Sequence, residues 1–252
     1  MKISIIGIGA MGSCLAKGLM SSTTLQLFDK NPDKANGFNS PEEAVKECDL
    51  VILAVKPKDM EALLKLLRSK LTPDQIVISV AGNIDVAFLE NHLPESPVVR
   101  IMPNTPCAVG KGVIGIVESK SLTPDVKSKL EAGLSPLGHL HYLPESQIDA
   151  LTALAGSAPA FAFVILEAMI DAGIEMGLKK PLSQELVTQM WEGSLELLKT
   201  SGKNTTDLKW QVASPGGITI AGLDQMEQDK VRAGLLNTLM TTWKRATSKI
   251  NY

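Results

Sequence analysis

The chain has 252 residues, 44% of them apolar and 21% charged, and a net charge of −2 at neutral pH. That content supports one large or two modest cores, and the charge balance leaves no footprint for nucleic acid or an anionic membrane. Cys14, Cys48 and Cys107 are too few and too dispersed for a disulfide framework or a metal-ligand set, so reduced thiols, no metal and a cytoplasmic location are expected. The first residues run straight into a strand without room for a signal peptide, and the longest apolar run, 158–174, is interrupted by Glu167 and Asp171 and is not expected to span a membrane.

Residues 2–6 predict a buried strand leading directly into Gly7-x-Gly9-x-x-Gly12 and a helix over 11–20. Gly7 suits the tight turn, Gly9 lets the backbone approach a pyrophosphate, and Gly12 lets the helix pack on the strand. The helix N-terminus presents unpaired N–H groups and a positive dipole end to the phosphates. Gly7, Gly9, Ala10, Met11 and Gly12 are therefore the expected dinucleotide cradle. A second strand over 24–28 ends at Asp29, whose carboxylate would accept hydrogen bonds from ribose hydroxyls and repel a 2′-phosphate, favouring NADH over NADPH. Lys30 pulls the other way, because it can pair with a 2′-phosphate. Asp29 also reads as a turn residue before Asn31-Pro32.

A short helix over 41–47 (Ser40 as its N-cap), a strand over 49–55, a helix over 58–71, a strand over 76–80, a helix over 85–93 and a strand over 98–102 follow. Later strands cover 113–117 and 139–143, with a helix over 124–135 between them. This alternation predicts an α/β fold built on a Rossmann-type doubly wound parallel sheet. The character changes near residue 145. Beyond it no strand is expected, and 160–176, 183–200 and 225–249 carry helical periodicity. The expected division is a dinucleotide-binding domain over 1–146 and an all-helical domain over 147–252.

Three strand ends, Ala54-Val55-Lys56-Pro57, Ser79-Val80-Ala81-Gly82 and Arg100-Ile101-Met102-Pro103-Asn104, point to one crevice, where ligands of open α/β sheets sit. Ala54, Ala81 and Gly82 are small enough for a nicotinamide ribose to lie flat, and Lys56 and Asn104 can supply hydrogen bonds. A solvated lysine is the plain alternative for Lys56. In the helical region Gly156-Ser157-Ala158-Pro159 opens the longest apolar helix, with Ser157 as cap and free N–H groups as an anion site. Ser214-Pro215-Gly216-Gly217-Ile218-Thr219 enters another helix, exposing backbone N–H groups to a carboxylate, with the Thr219 hydroxyl beside them. Close helix packing would explain either segment alone; two on one domain point to a carboxylate pocket. No Lys, Arg or His lies between Gln147 and Leu178, and His92, His139 and His141 are remote in sequence from both segments. The chemistry therefore needs no strong general acid, and hydride transfer to a cationic acceptor fits.

Together these segments resemble the 1-pyrroline-5-carboxylate reductase family over essentially the whole chain. The resemblance rests on Gly7-x-Gly9-x-Met11-Gly12, Leu53-Ala54-Val55-Lys56-Pro57, Ser79-Val80-Ala81-Gly82, Arg100-Ile101-Met102-Pro103-Asn104-Thr105-Pro106, Gly156-Ser157-x-Pro159-Ala160, Asp171-Ala172-Gly173-x-x-Met176-Gly177-Leu178 and Ser214-Pro215-Gly216-Gly217-x-Thr219-Ile220-Ala221-Gly222. It implies a Rossmann domain, a helical domain interlocking with a partner subunit as a homodimer or higher oligomer of dimers, and reduction of 1-pyrroline-5-carboxylate to L-proline by NADPH or NADH. It further implies that Gly216, Gly217 and Ile218 hold the substrate carboxylate and that the Thr219 hydroxyl, the one catalytic side chain, faces the ring nitrogen. The chain departs from the family's usual Ser-Gly-Ser-Gly-Pro-Ala-Tyr at Ala155, Ala158 and Phe161, and Trp210 stands where a charged residue is usual. It is also short between Met20 and Ser40, so a trimmed adenosine edge is expected, and the family more often takes NADPH. A dehydrogenase of the 3-hydroxyacid or 6-phosphogluconate type shares the layout but places a lysine where this chain has no base. A non-catalytic sensor would bind dinucleotide without turnover.

Overall fold

The structure, a computed structural model, describes residues 1–248; Lys249, the last residue of the expected helix 225–249, lies outside the described residues, as does the end of the expected 147–252 domain. Seven strands, β1 (Lys2–Ile6), β2 (Thr24–Phe28), β3 (Leu50–Leu53), β4 (Ile76–Ser79), β5 (Val98–Met102), β6 (Gly112–Val117) and β7 (Gly138–Leu143), form one sheet in the order β2-β1-β3-β4-β5-β6-β7. β1 to β5 are mutually parallel, but β6 runs antiparallel to β5, and β7 runs parallel to β6. The doubly wound parallel sheet is as expected except at the β5–β6 pair, which is antiparallel. The segment between β5 and β6 is too short for a crossover, which needs a dozen or more residues, so the chain turns back through a 3₁₀ turn at Thr105–Val109.

The central strands are apolar on both faces because helices cover both. Ile3, Ile5, Leu50, Ile52, Ile76 and Ile78 bury on one face, and Ile6, Val51, Leu53 and Val77 on the other. On the first face α1 (Ala10–Leu19) contributes Leu15, Ala16 and Leu19, and α5 (Pro124–Leu134) contributes Val126, Leu130 and Leu134. On the second, α3 (Pro57–Leu67) buries Met60, Leu63, Leu64 and Leu67, one stripe of a helix, each worth about 1.5–3 kcal/mol when fully buried. α2 (Pro41–Ala44) and α4 (Val86–His92) complete that layer through Ala44 and Leu89. At the sheet's edge, Asn36 Oδ1 accepts the Leu27 N–H at 2.7 Å and Asn36 Nδ2 donates to the Leu25 carbonyl at 3.0 Å. The Asn36 backbone N–H also donates to the Leu27 carbonyl at 3.1 Å.

One compact unit holds Met1–Pro159 and the chain from Trp243, and Ala160–Thr242 forms the other. Helix runs from Glu145 to Glu175, through α6 (Ile148–Leu151), a π-helical turn at Thr152–Gly156 and α7 (Ala158–Glu175). By length and composition this stretch is apolar enough to cross a membrane, with mean hydropathy 1.8, so Glu167 and Asp171 do not break it as the sequence reading expects. In the second unit α8 (Lys180–Thr200) is pinned to α7 where Ser183 Oγ donates to the Ile170 carbonyl at 2.7 Å. α9 (Thr205–Val212), not expected from sequence, is capped by Asn204. The helix expected over 225–249 is two, α10 (Ile218–Gln228) and α11 (Val231–Thr247), separated at Asp229–Lys230, where Lys230 takes φ +55°. Phe163, Val164, Leu186, Leu195, Leu236 and Met240 are exposed on this unit of the single chain.

Candidate active site

β1 lies between β2 and β3, so successive crossovers leave it in opposite directions and open a crevice at its carboxyl end. Gly7 turns there at φ +97°, and a Cβ on it would lie 2.8 Å from the Ala54 carbonyl oxygen. A Cβ on Gly12 would strike the Gly7 carbonyl oxygen, so α1 packs on the turn only with glycine at both places. Gly9 is different: a Cβ there would meet nothing within 4 Å, and the space above it is open to a ligand.

α2, α4, α5 and α9 are closed by their own side chains, with Ser40, Asp85, Thr123 and Asn204 accepting first-turn N–H groups. α1, α3, α6, α8 and α10 begin with no side-chain cap, at Gly9, Lys56, Gln147, Lys179 and Gly217, and of these five α1 and α10 are entered through glycine. Their first N–H groups have no intrahelical partner, and each helix end is positive. Open N–H groups at α1, space above Gly9 and an acidic residue at the end of β2 fit a dinucleotide. That cofactor, when bound, would be held by Gly9, Ala10, Met11 and Gly12 at its pyrophosphate.

Asp29 uses both carboxylate oxygens on the backbone: Oδ2 accepts the Ile8 N–H at 2.6 Å and Oδ1 the Asn31 N–H at 2.9 Å. It thus stitches the glycine turn to β2 and also makes the turn at Asn31, and each oxygen retains a second lone pair for a ribose hydroxyl. Lys30 is 82% exposed and its ammonium lies 3.4 Å from Asp59 Oδ1, a weak solvent-screened pair. Ala54, Val55, Lys56 and Pro57 follow β3, and Lys56 is exposed with no side-chain hydrogen bond at the head of α3. Ala81 is buried and Gly82 exposed just beyond β4, and Met102 closes β5 half-buried.

Asn104 does not offer its amide to the crevice. The residue is 5% exposed, Nδ2 donates to the Ala155 carbonyl at 3.1 Å, and Oδ1 accepts the Val113 N–H at 2.9 Å. The segment at 155–159 also differs from its expected form. Ser157 is not an N-cap, because the helix continues through it and its N–H donates to the Thr152 carbonyl at 2.8 Å. The Ser157 N–H is thereby used within the helix and the expected cap at Ser157 is not formed. Pro159 is the cause: it carries no N–H for the carbonyl four residues earlier, so the helix widens into a π-turn.

Sequence reasoning missed Arg100–Glu145. Arg100, its side chain 7% exposed, donates from Nη1 to Glu145 Oε1 at 2.7 Å, and the same oxygen accepts the Val86 N–H at 3.1 Å. Only the odd buried charge in β5 hinted at it. His139 and His141 face solvent on β7. Burial pushes the Cys48 thiol up to about 11 and the Cys107 thiol upward too, so both stay protonated and unreactive.

Gly216, Gly217, Ile218 and Thr219 belong to the second unit, whereas the other site residues lie in the first. The Gly217 N–H closes a turn on the Ser214 carbonyl at 3.0 Å, leaving the N–H groups of Ile218, Thr219 and Ile220 to open the helix. Trp210, with the Lys209 ammonium 4.7 Å from its ring, lines a groove of about 600 Å³ with Ile220, Leu223 and Leu235.

A doubly wound sheet with an uncapped glycine-entered helix at its switch point, in a chain that continues into a helical unit, fits the class of nicotinamide-dinucleotide-dependent oxidoreductases. The family model described as pyrroline-5-carboxylate reductase dimerisation matches residues 145–249, and one described as NADP oxidoreductase, coenzyme F420-dependent, matches residues 2–83. Pyrroline-5-carboxylate reductases of Methanosarcina acetivorans and Arabidopsis thaliana are 34% and 32% identical, aligning 97% of this chain with 96% and 94% of theirs. The Plasmodium falciparum pyrroline carboxylate reductase with NADP bound superposes with a TM-score of 0.89 at 32% identity, covering 98% of this chain and 97% of that one. The Streptococcus pyogenes 1-pyrroline-5-carboxylate reductase gives 0.86 at 30% identity, covering 99% of both chains. The chain belongs to the pyrroline-5-carboxylate reductase family. It is an NAD(P)-dependent oxidoreductase carrying that family's dimerisation region.

Proposed function

We propose that this chain reduces the C=N bond of 1-pyrroline-5-carboxylate to L-proline, with residues 1–146 as the cofactor domain and 147–252 as the substrate and dimerisation domain. The carrying observation is the uncapped α10 N-terminus behind Gly216-Gly217, a ready site for a small carboxylate. Bound NAD(P)H supplies the hydride. Gly7, Gly9, Ala10, Met11, Gly12, Asp29 and Lys30 hold its phosphates and adenosine ribose, and Ala54–Pro57, Ala81, Gly82 and Met102 border its nicotinamide half. Gly216, Gly217 and Ile218 orient the substrate carboxylate through the backbone, and Gly156 and Ser157 border the ring. The Thr219 hydroxyl hydrogen-bonds the ring nitrogen. The imine enters protonated from water, so hydride addition to carbon yields the secondary amine with no further proton from the protein. That balance agrees with the lack of Lys, Arg and His between Gln147 and Leu178. The protein works in the cytoplasm as a dimer or an assembly of dimers, and the apolar faces of α7 and α8 are covered by the partner copy and not by lipid.

Loss of nicotinamide absorbance on mixing protein, pyrroline-5-carboxylate and NADH or NADPH tests this reading. Dinucleotide binding without oxidation would favour the sensor. Thr219→Ala is expected to lower kcat about 10- to 100-fold and leave dinucleotide Kd within about twofold, the value of one well-placed polar group. An unchanged kcat would remove the role of that hydroxyl. Asp29 sets the balance toward NADH against Lys30. Asp29→Asn disturbs the turn equally for both cofactors but removes a charge that repels the 2′-phosphate. The ratio of kcat/KM for NADPH to that for NADH should therefore rise about tenfold. A constant ratio would leave Asp29 as a builder of the turn alone.

A further inference from the structure

Pro159 lacks the N–H that would bond the Ala155 carbonyl in a regular α-helix, and a part-buried carbonyl left short of a donor is costly. The structure supplies a replacement from 51 residues away in sequence, Asn104 Nδ2, at 3.1 Å. The other end of the same amide accepts the Val113 N–H of β6 at 2.9 Å. One buried side chain therefore ties three things together: the carboxyl end of β5, the reversed strand β6, and the π-turn that carries Gly156 and Ser157. We infer that Asn104 is a positioning residue for the reaction, which fixes the Gly156–Ser157 turn against the nicotinamide end of the crevice and does not itself hold the cofactor.

The chemistry is specific to asparagine. The position must donate to a carbonyl and accept from an N–H at once. Alanine does neither, a carboxylate cannot donate, and glutamine is one methylene too long for the same span. The inference rests on the proposed placement of Gly156 and Ser157 beside the substrate ring, and its consequence is separable from simple stability. With the turn released, the cofactor still binds, because the cradle at Gly7–Gly12 is untouched, but the acceptor is less well aligned. Misplacement of this kind acts on the chemical step.

The test compares wild type with Asn104→Ala and Asn104→Asp. For Asn104→Ala we expect kcat to fall about thirtyfold and dinucleotide Kd, read by nicotinamide fluorescence, to stay within about twofold. For Asn104→Asp the carboxyl can donate to Ala155 only when protonated, so its kcat relative to wild type at the same pH should rise at least about fivefold from pH 8 to pH 6. A tenfold weaker dinucleotide Kd with kcat preserved would make Asn104 a cofactor ligand and overturn the inference. So would a lowered Tm in both variants with kcat per folded molecule unchanged. Amide exchange at Val113 and Ser157 gives a readout that needs no turnover. If wild type fails to oxidise NAD(P)H with the imine, the functional reading falls, while faster exchange at both amides in Asn104→Ala still upholds the clasp.

Discussion

Gly12→Ala is expected to reduce dinucleotide affinity at least about 1,000-fold, some 4 kcal/mol. The added Cβ would fall on the Gly7 carbonyl oxygen of the turn and 3.4 Å from Ala54 Cβ at the end of β3. Neither is the loose end of a flexible side chain, so α1 must shift bodily away from β1. Its first N–H groups then no longer converge on a pyrophosphate, and the turn at Gly7 loses its support. Gly9→Ala is the matched control, because its Cβ meets no protein atom within 4 Å. That variant should keep the thermal stability of wild type and lose affinity only through the ligand's own closeness. Titration by calorimetry or nicotinamide fluorescence reads both. Wild-type affinity in Gly12→Ala would mean that the helix–turn contact does not shape the cradle.

Glu145→Ala should cost about 3–4 kcal/mol of folding stability, the largest loss expected from a single change at the sheet's periphery. The substitution strands the Arg100 guanidinium, which is buried and already has one nitrogen, Nε, without a partner. It also strands the Val86 N–H at the head of α4. Glu145 itself is 38% exposed, so water reaching the vacated space relieves part of the penalty and keeps the figure below the top of the range for buried pairs. For a chain of this size the midpoint of thermal unfolding should drop by roughly 6–16 °C. Arg100→Met removes the charge together with its need for a partner and should cost less than Glu145→Ala. Denaturant unfolding within about 1 kcal/mol of wild type for Glu145→Ala would refute the account. Glu145→Gln separates the two contributions, since the amide still accepts from Val86 but no longer carries the countercharge.

The cradle was legible in the sequence because its parts are contiguous. A strand, three glycines and a helix start within a dozen residues, and local geometry alone decides their arrangement. The helical loop at Gly216–Thr219 was legible for the same reason. What escaped were features set by distant partners or by small departures from regular helix. The direction of β6 depends on the length of the connection after β5 and not on the composition of either strand. The π-turn escaped because Pro159 also suits the first turn of a helix, and nothing local says that Thr152–Gly156 is helical before it. The break at Lys230 carries no Gly or Pro, so periodicity ran through it. Asn104 looked like a ligand donor because its two partners, Val113 and Ala155, lie 9 and 51 residues on. Arg100 and Glu145, 45 residues apart, could be paired only once the sheet had been closed.

An outermost strand normally offers its backbone to any passing chain, and β2 is such a strand. Here a single asparagine occupies it. The side chain and backbone of Asn36 take the Leu25 and Leu27 groups that a neighbouring strand would use. The sheet is thereby closed to runaway strand pairing on that side, and growth into fibrils is denied a starting template.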